Sequence, residues 1–159
     1  MIRKNLVLTL TVLLPLMARA DARLLRHPSY ANGKVAFSYL GDIWIAREDG
    51  SGLQRLTDNR AREVYPRFSP DGNWVAFSSD REGNYDVYAV AATGGKPRRL
   101  TYHSANDLVV GWSPDGKRIV FQSARNEGVF PGIATLWDVS VDGGMEQPLG
   151  TDWGSWASY

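Results

Sequence analysis

Two histidines occur in this chain, His27 and His103, and the second sits where chemistry could start: His103-Ser104 is followed by Asp107. A serine nucleophile needs hydroxyl, imidazole and carboxylate in line across a site, with donors aimed at the developing oxyanion. Neighbours on one short loop rarely meet that geometry. No Gly-x-Ser-x-Gly elbow and no Gly-rich phosphate loop accompanies them. His103 is therefore expected to be a loop residue hydrogen-bonded locally. The second candidate is a repeated Ser-Pro-Asp-Gly, at Ser69–Gly72 and Ser113–Gly116. One aspartate per loop supplies too few oxygens for a calcium site. A tight turn accounts for it better: Pro70 presets φ, Asp71 suits the next position and Gly72 takes a conformation that disfavours a Cβ. No metal and no cofactor is expected.

The turn belongs to a repeat. FSPDGNWVAFSSDREGNYDVY, from Phe68 to Tyr88, nearly recurs as GWSPDGKRIVFQSARNEG from Gly111 and, more loosely, as ANGKVAFSYLGDIW from Ala31. Phe37, Phe77 and Phe121 share one position, and Trp44, Tyr88 and Trp137 another. Leu56-Thr57 and Leu100-Thr101 close two units, and Leu149-Gly150 closes the third less faithfully. A period of roughly 40 residues signals a solenoid or propeller. Between anchors the segments are short, β-branched or aromatic, and bounded by Gly, Pro, Asp and Asn, as strands are. In the second unit they are Tyr65–Phe68, Trp74–Ser78, Asp86–Ala91 and Pro97–Thr101. The expected fold is all-β, a β-propeller of four-stranded antiparallel blades. Blades are expected at about 24–57, 65–101 and 108–150, with the first strand of a fourth at about 153–159.

Connections in such a sheet alternate between its two ends, so the Ser-Pro-Asp-Gly and Gly-rich turns share one rim. On the other rim the Phe-to-aromatic spacing grows from 37–44 to 77–88 to 121–137. Insertions gathered on one face mark a binding mouth. Its candidate residues are Arg125, Asn126, Glu127 and Phe130, within the longest loop, Arg125–Gly132. A tolerated surface insertion is the rival reading. Trp44, Trp112 and Trp137 occupy strand positions and are expected to pack. Arg98-Arg99, on the outer strand of the second blade, reads as a solvated face.

The first twenty residues stand apart. Arg3 and Lys4 precede an apolar run from Leu6 to Met17, and Ala18-Arg19-Ala20 supplies small residues at the two positions read at cleavage. That is the pattern of a secretory leader, residues 1–20, with a retained anchor as the rival. The whole chain carries 18 Lys+Arg against 17 Asp+Glu, and removing the leader with Arg3, Lys4 and Arg19 leaves 15 against 17, a net −2. No basic stripe remains for a phosphate backbone, so nucleic acid is not an expected partner, nor is the membrane after cleavage. Cysteine is absent, so an exported protein, periplasmic by this reading, would rely on packing rather than disulfides.

LLRHPSYANGKVAFSYLGDIW, LTDNRAREVYPRFSPDGNWVAFSSDREGNYDVYAV and GGKPRRLTYHSANDLVVGWSPDGKRIVFQSAR together resemble the amino-terminal propeller of tricorn-type serine proteases, over Leu24 to Tyr159. The Ser-Pro-Asp-Gly motif is shared with TolB-type and dipeptidyl-peptidase-type propellers; LTYHSANDLVVGWSPDG and FQSAR are more telling. The resemblance implies a six-bladed propeller, a second propeller, a PDZ-like domain and a serine-peptidase domain, with the propellers channelling peptides. No residue here matches the family's catalytic motifs, so the segment is expected to be inactive alone. Its expected partners are peptides or unfolded protein, and the remainder of a protease chain or a second copy. A TolB-like periplasmic protein-binding propeller is the alternative.

Overall fold

The computed structural model describes residues 25–125 and 134–150. The expected leader and fourth-blade strand lie outside them, as do Asn126, Glu127 and Phe130. The fold is the expected one, three four-stranded antiparallel sheets in chain order. The first holds β1 (Arg26–Ala31), β2 (Lys34–Tyr39), β3 (Asp42–Arg47) and β4 (Gln54–Arg55). The second holds β5 (Glu63–Phe68), β6 (Trp74–Ser79), β7 (Asp86–Ala91) and β8 (Arg98–Arg99). The third holds β9 (Asp107–Trp112), β10 (Arg118–Ser123), β11 (Thr135–Ser140) and β12 (Gln147–Pro148).

Register explains the anchors. Phe37 faces Trp44, Phe77 faces Tyr88 and Phe121 faces Trp137 across the two middle strands of each blade. Alternation then sends successive residues into opposite seams. Val75, Phe77, Tyr88 and Val90 pack with Ile43, Ile45 and Leu56 of the first blade. Ala76, Val87 and Ala89 pack with Val109, Ile119, Phe121 and Val139 of the third. The core is thus two apolar seams between blades. β8 is shorter than the expected Pro97–Thr101, because only Arg98 and Arg99 have ladder partners, Ala89 and Tyr88; Leu100 N still bonds Val87 O at 2.8 Å.

Both Ser-Pro-Asp-Gly stretches are structural turns. The Ser69 hydroxyl donates to Asp71 Oδ1 at 2.6 Å and accepts from Trp74 N at 2.9 Å. Ser113 repeats this with Asp115 and Arg118. These bonds, the serine's first, hold both carboxyls below the usual aspartate range. Gly72 has φ of 71°, and a Cβ there would come within 2.8 Å of Asn32 Nδ2, which reaches over from the first blade to bond Asp71 O. At Gly116, with φ of 68°, the nearest atom would be Pro70 Cδ at 3.6 Å. Gly72→Ala is expected to cost roughly 1–2 kcal/mol from the left-handed backbone alone. Gly116→Ala should cost less, because it displaces no neighbour. Urea unfolding of both variants checks the order; equal losses would mean that the Asn32 bridge contributes nothing.

Candidate functional site

The lower rim, opposite these turns, carries the densest charge chemistry of the described residues. At the seam between the first and second blades, Glu63 opens β5 with none of its surface exposed. Its carboxylate accepts from the Thr57 hydroxyl on one oxygen and from Arg81 Nη2 on the other. The Arg81 guanidinium also lies 4.5 Å from the ring centre of Tyr88 and 5.9 Å from that of Phe77. Beside it Asp42 receives Arg55 through Nε at 3.1 Å and Nη2 at 2.7 Å, and Asn59 N at 3.2 Å. Each buried charge thus has both an opposite charge and hydrogen bonds, the condition under which a buried ion pair is tolerated.

The next seam repeats this clamp. Asp86, Arg99, Thr101, Asp107 and Arg125 each stand 44 positions after Asp42, Arg55, Thr57, Glu63 and Arg81. Thr57 and Thr101 each accept, at 2.9 Å, from the backbone N of Ile43 and Val87. Arg125 Nη2 donates to Asp107 Oδ2 at 2.5 Å, and its guanidinium lies 5.0 Å from both the Phe121 and Trp137 ring centres. This offset is the clamp's only signal in the sequence, and the aromatic anchors do not reveal it, because Phe37 and Phe77 stand 40 apart. At register-equivalent places the third blade has Thr135 and Pro148 instead of Asp and Arg, so its outgoing half differs.

Arg125, expected at the binding mouth, is placed inside the third blade. Its side chain is 6% exposed and also lies 3.4 Å from Glu146 Oε2. Arg98 and Arg99 do not share the solvated face expected of the pair. Arg98 is exposed and donates to Val141 O, but Arg99 is not a solvated cation. Its Nη2 lies 2.8 Å from buried Asp86 Oδ2, its Nε donates to Thr101 O at 2.9 Å, and it sits 4.5 Å over the Tyr102 ring. Adjacent strand residues face opposite ways, so Arg98 meets solvent while Arg99 turns to the buried Asp86. His103 is the local loop residue expected: its Nδ1 accepts from Ala105 N at 3.0 Å. Asp107 is engaged by Arg125, so the three residues form no triad.

The axial strands supply the other chemistry. β1, β5 and β9, the first strand of each blade, are interrupted at the same register position, between Arg26 and Ser29, Val64 and Arg67, and opposite Val120 and Phe121. His27 and Tyr65 occupy this bulge with φ of 54° and 55°, and their ring centres lie 4.2 Å apart with the planes tilted by 47°. Such backbone in residues other than glycine is uncommon and persists only where surroundings hold it. Those surroundings are side chains crossing seams. Phe68 N donates to Ser29 Oγ at 3.1 Å, Arg67 Nε to Val110 O at 2.9 Å and Trp112 Nε1 to Arg67 O at 2.9 Å. Burial, then the charges of Arg67 and Arg26, push the His27 imidazole below its ordinary value. His27 is therefore neutral at pH 7, on a wall whose cations are Arg26 and Arg67.

Burial pushes the Asp86 carboxyl up to about 6, against the pull of Arg99. A group that binds its proton more tightly when folded contributes stability below its unfolded value and loses it as pH rises through the folded one. Glu63 is displaced the same way, by burial first. Stability is expected to fall as pH rises from 3.8 to about 6, and Asp86→Asn should flatten much of that slope in urea titrations. A flat wild-type profile would mean that the carboxylate keeps its bulk-water surroundings.

The comparisons agree with this geometry. The model of the tricorn protease N-terminal β-propeller domain matches residues 22–159. Tricorn protease homolog 1 of Streptomyces coelicolor is 37% identical over 71 residues, which are 45% of this chain and 7% of that protein. A TolB homolog of Chlorobium luteolum is 41% identical over 64 residues, 38% of this chain and 15% of that one. The chain thus spans a small fraction of the curated relatives it matches. Among solved structures, the tricorn protease superposes with a TM-score of 0.68 at 24% identity, covering 79% of this chain and 13% of its own. TolB from Acinetobacter baumannii gives 0.61 at 22%, covering 77% and 31%; both likenesses concern the fold. With its three blades and the family match along nearly its whole length, this chain belongs to the tricorn protease N-terminal β-propeller family.

Proposed function

We propose that this chain is the non-catalytic propeller portion of an exported tricorn-like serine peptidase, gating or channelling peptide substrates. The family match over residues 22–159 carries the reading. The axial wall supports it: strands broken by bulges, with Arg67, Tyr65 and neutral His27 at its surface, offer an extended peptide charge and stacking partners. The test starts from the native gene product in its source cells, measuring intact mass and then hydrolysis of peptides of graded length. A species much heavier than 159 residues, whose length preference changes in Arg67→Ala while cleavage of the shortest peptide persists, supports gating. A species of this size that hydrolyses nothing sinks it.

A second reading has its own observation: the TolB homolog matches at 41% identity, no lower than the tricorn relative. Under it the chain is a periplasmic protein-binding propeller. Recovery of outer-membrane lipoproteins on the purified chain, with no peptide hydrolysis by the native product, would favour it. Fractionation of cells tests export under either reading, and retention in the cytoplasm would defeat both.

A further inference from the structure

The upper rim holds a cavity that none of the preceding chemistry uses. It lies where the first blade meets the second and measures about 150 Å³. Buried Ile45, Ala46 and Ala92 line it, and its exposed edge carries Lys34, Arg47 and Gln54. None of these residues belongs to β1, β5 or β9, so the axial wall has no part in it. Lys34 opens β2, Arg47 ends β3, and the two are paired directly across the ladder. Like charges so placed repel and weaken a sheet. Arg55, Arg81, Arg99, Arg118 and Arg125 each meet a carboxylate, but among the described residues none pairs with Lys34 or Arg47. The acids on the adjoining turn are engaged elsewhere. Glu48 accepts from the Tyr30 hydroxyl and Asp49 from Ser51 N, both at 2.8 Å.

Arg47 is nevertheless held in place. Its Nη1 donates to the Ser51 hydroxyl at 3.3 Å, and a Cβ on Gly52 would come within 3.3 Å of that nitrogen. A neutral hydroxyl orients the guanidinium and leaves its charge unanswered. From the second blade, Thr93 O lies 3.5 Å from Gln54 Nε2 and bounds the cavity on that side. The next seam has larger residues at the same places. Trp74 opposite Ala91 stands where Lys34 is opposite Arg47. Val141 stands where Ala92 does, each donating its amide back across the blade, Ala92 N to Asn73 O and Val141 N to Lys117 O. Val141 packs on the apolar cluster of that seam. The first seam thus combines smaller side chains with two opposed cations.

We propose that this cavity binds a carboxylate carried on a short apolar stem, its head between Lys34 and Arg47 and its stem on Ile45 and Ala92. The arginine fork and the lysine point charge suit one carboxylate together, and an anion between them cancels their repulsion. The hydrocarbon floor selects against phosphate or sulfate, which would leave it in contact with water. Two sources offer this chemistry, the anion of a free short-chain acid and a glutamate side chain within a peptide. The site is separate from the axial wall and stands under either reading of the chain's function.

The test is an NMR titration of the nitrogen-15-labelled chain at low salt, with butyrate and with acetyl-Gly-Glu-Gly-amide, whose ends are both blocked. Saturable shifts are expected at the amides of Arg47, Gly52, Gln54 and Ala92, with a millimolar or tighter dissociation constant for at least one probe. Binding of butyrate alone assigns a free acid, and binding of the peptide alone assigns a glutamate side chain. Ala92→Val copies the second seam with both cations intact and should weaken binding roughly tenfold, as should Lys34→Gln. Lys34→Gln should also raise the urea midpoint of the ligand-free protein at low salt, a gain that added salt removes. No saturable shift with either probe, equal shifts with neutral butyramide, or undiminished binding in either variant would overturn the proposal. If the variants do not fold, butyrate against butyramide on the wild type decides alone.

Discussion

Arg125→Ala is expected to lower the free energy of unfolding by roughly 3–5 kcal/mol, the usual result of removing one partner from a buried ion pair. The loss arises mainly from what stays behind. Asp107 has none of its surface exposed, and Arg125 holds its Oδ2 at 2.5 Å. Without the guanidinium, the carboxylate must either remain charged in an apolar seam or take up a proton. The variant also loses the contact of that cation with the Phe121 and Trp137 rings, each 5.0 Å away. Arg125→Lys keeps the charge without the planar fork and should recover only part of the loss. The double variant Arg125→Met/Asp107→Asn should be less damaged than Arg125→Ala, since it removes both charges at once. Urea unfolding reads all three. A loss below about 1 kcal/mol, the range of exposed pairs, would show that water reaches Asp107. Lost peptide binding at unchanged stability would instead return Arg125 to the mouth.

Phe77→Ala should cost about as much, roughly 3–5 kcal/mol, by a different route. The ring is fully buried between the first and second blades and stacks on Tyr88 at 5.8 Å with 22° between the planes. Interiors are packed too densely to close over a missing phenyl group, so the variant pays for lost transfer and for a residual cavity. Arg81, seated over the same two rings, would lose part of its support, so the cost of Arg81→Ala should not add to that of Phe77→Ala. The double variant measures that coupling. Strict additivity would show that ring and clamp are independent.

The aromatic anchors and the turns were legible because their chemistry is local. Phe77 and Tyr88 declare a strand pair by type and spacing, and Ser-Pro-Asp-Gly declares its turn within four residues. The bulge at His27 and Tyr65 was not legible. Its cause lies in Ser29, Arg67 and Trp112 reaching across seams, and no local pattern encodes a left-handed histidine. The clamp was concealed by loop length. Counted between phenylalanines, the first interval is 40 and the second 44, because Leu40-Gly41 makes a short connection where Asp80–Tyr85 makes a long one. Counted between clamp residues the interval is constant. Asp107 stands beside His103 and Ser104 in sequence, while the Arg125 that engages it lies 18 residues on, at the start of the longest loop. Neither partner could be placed without the other.

The clamp has a bearing on how such a chain could have grown. Asp42, Arg55 and Thr57 belong to one blade, while Glu63 and Arg81 belong to the next. A gene duplication with breakpoints between blades would hand each copy two mismatched halves. One with breakpoints inside a sheet, between its middle strands, would copy the outgoing half together with its acid acceptor. What recurs in this sequence at a constant offset of 44 residues is therefore the joint between two blades and not the blade, whose phenylalanines stand 40 and then 44 apart.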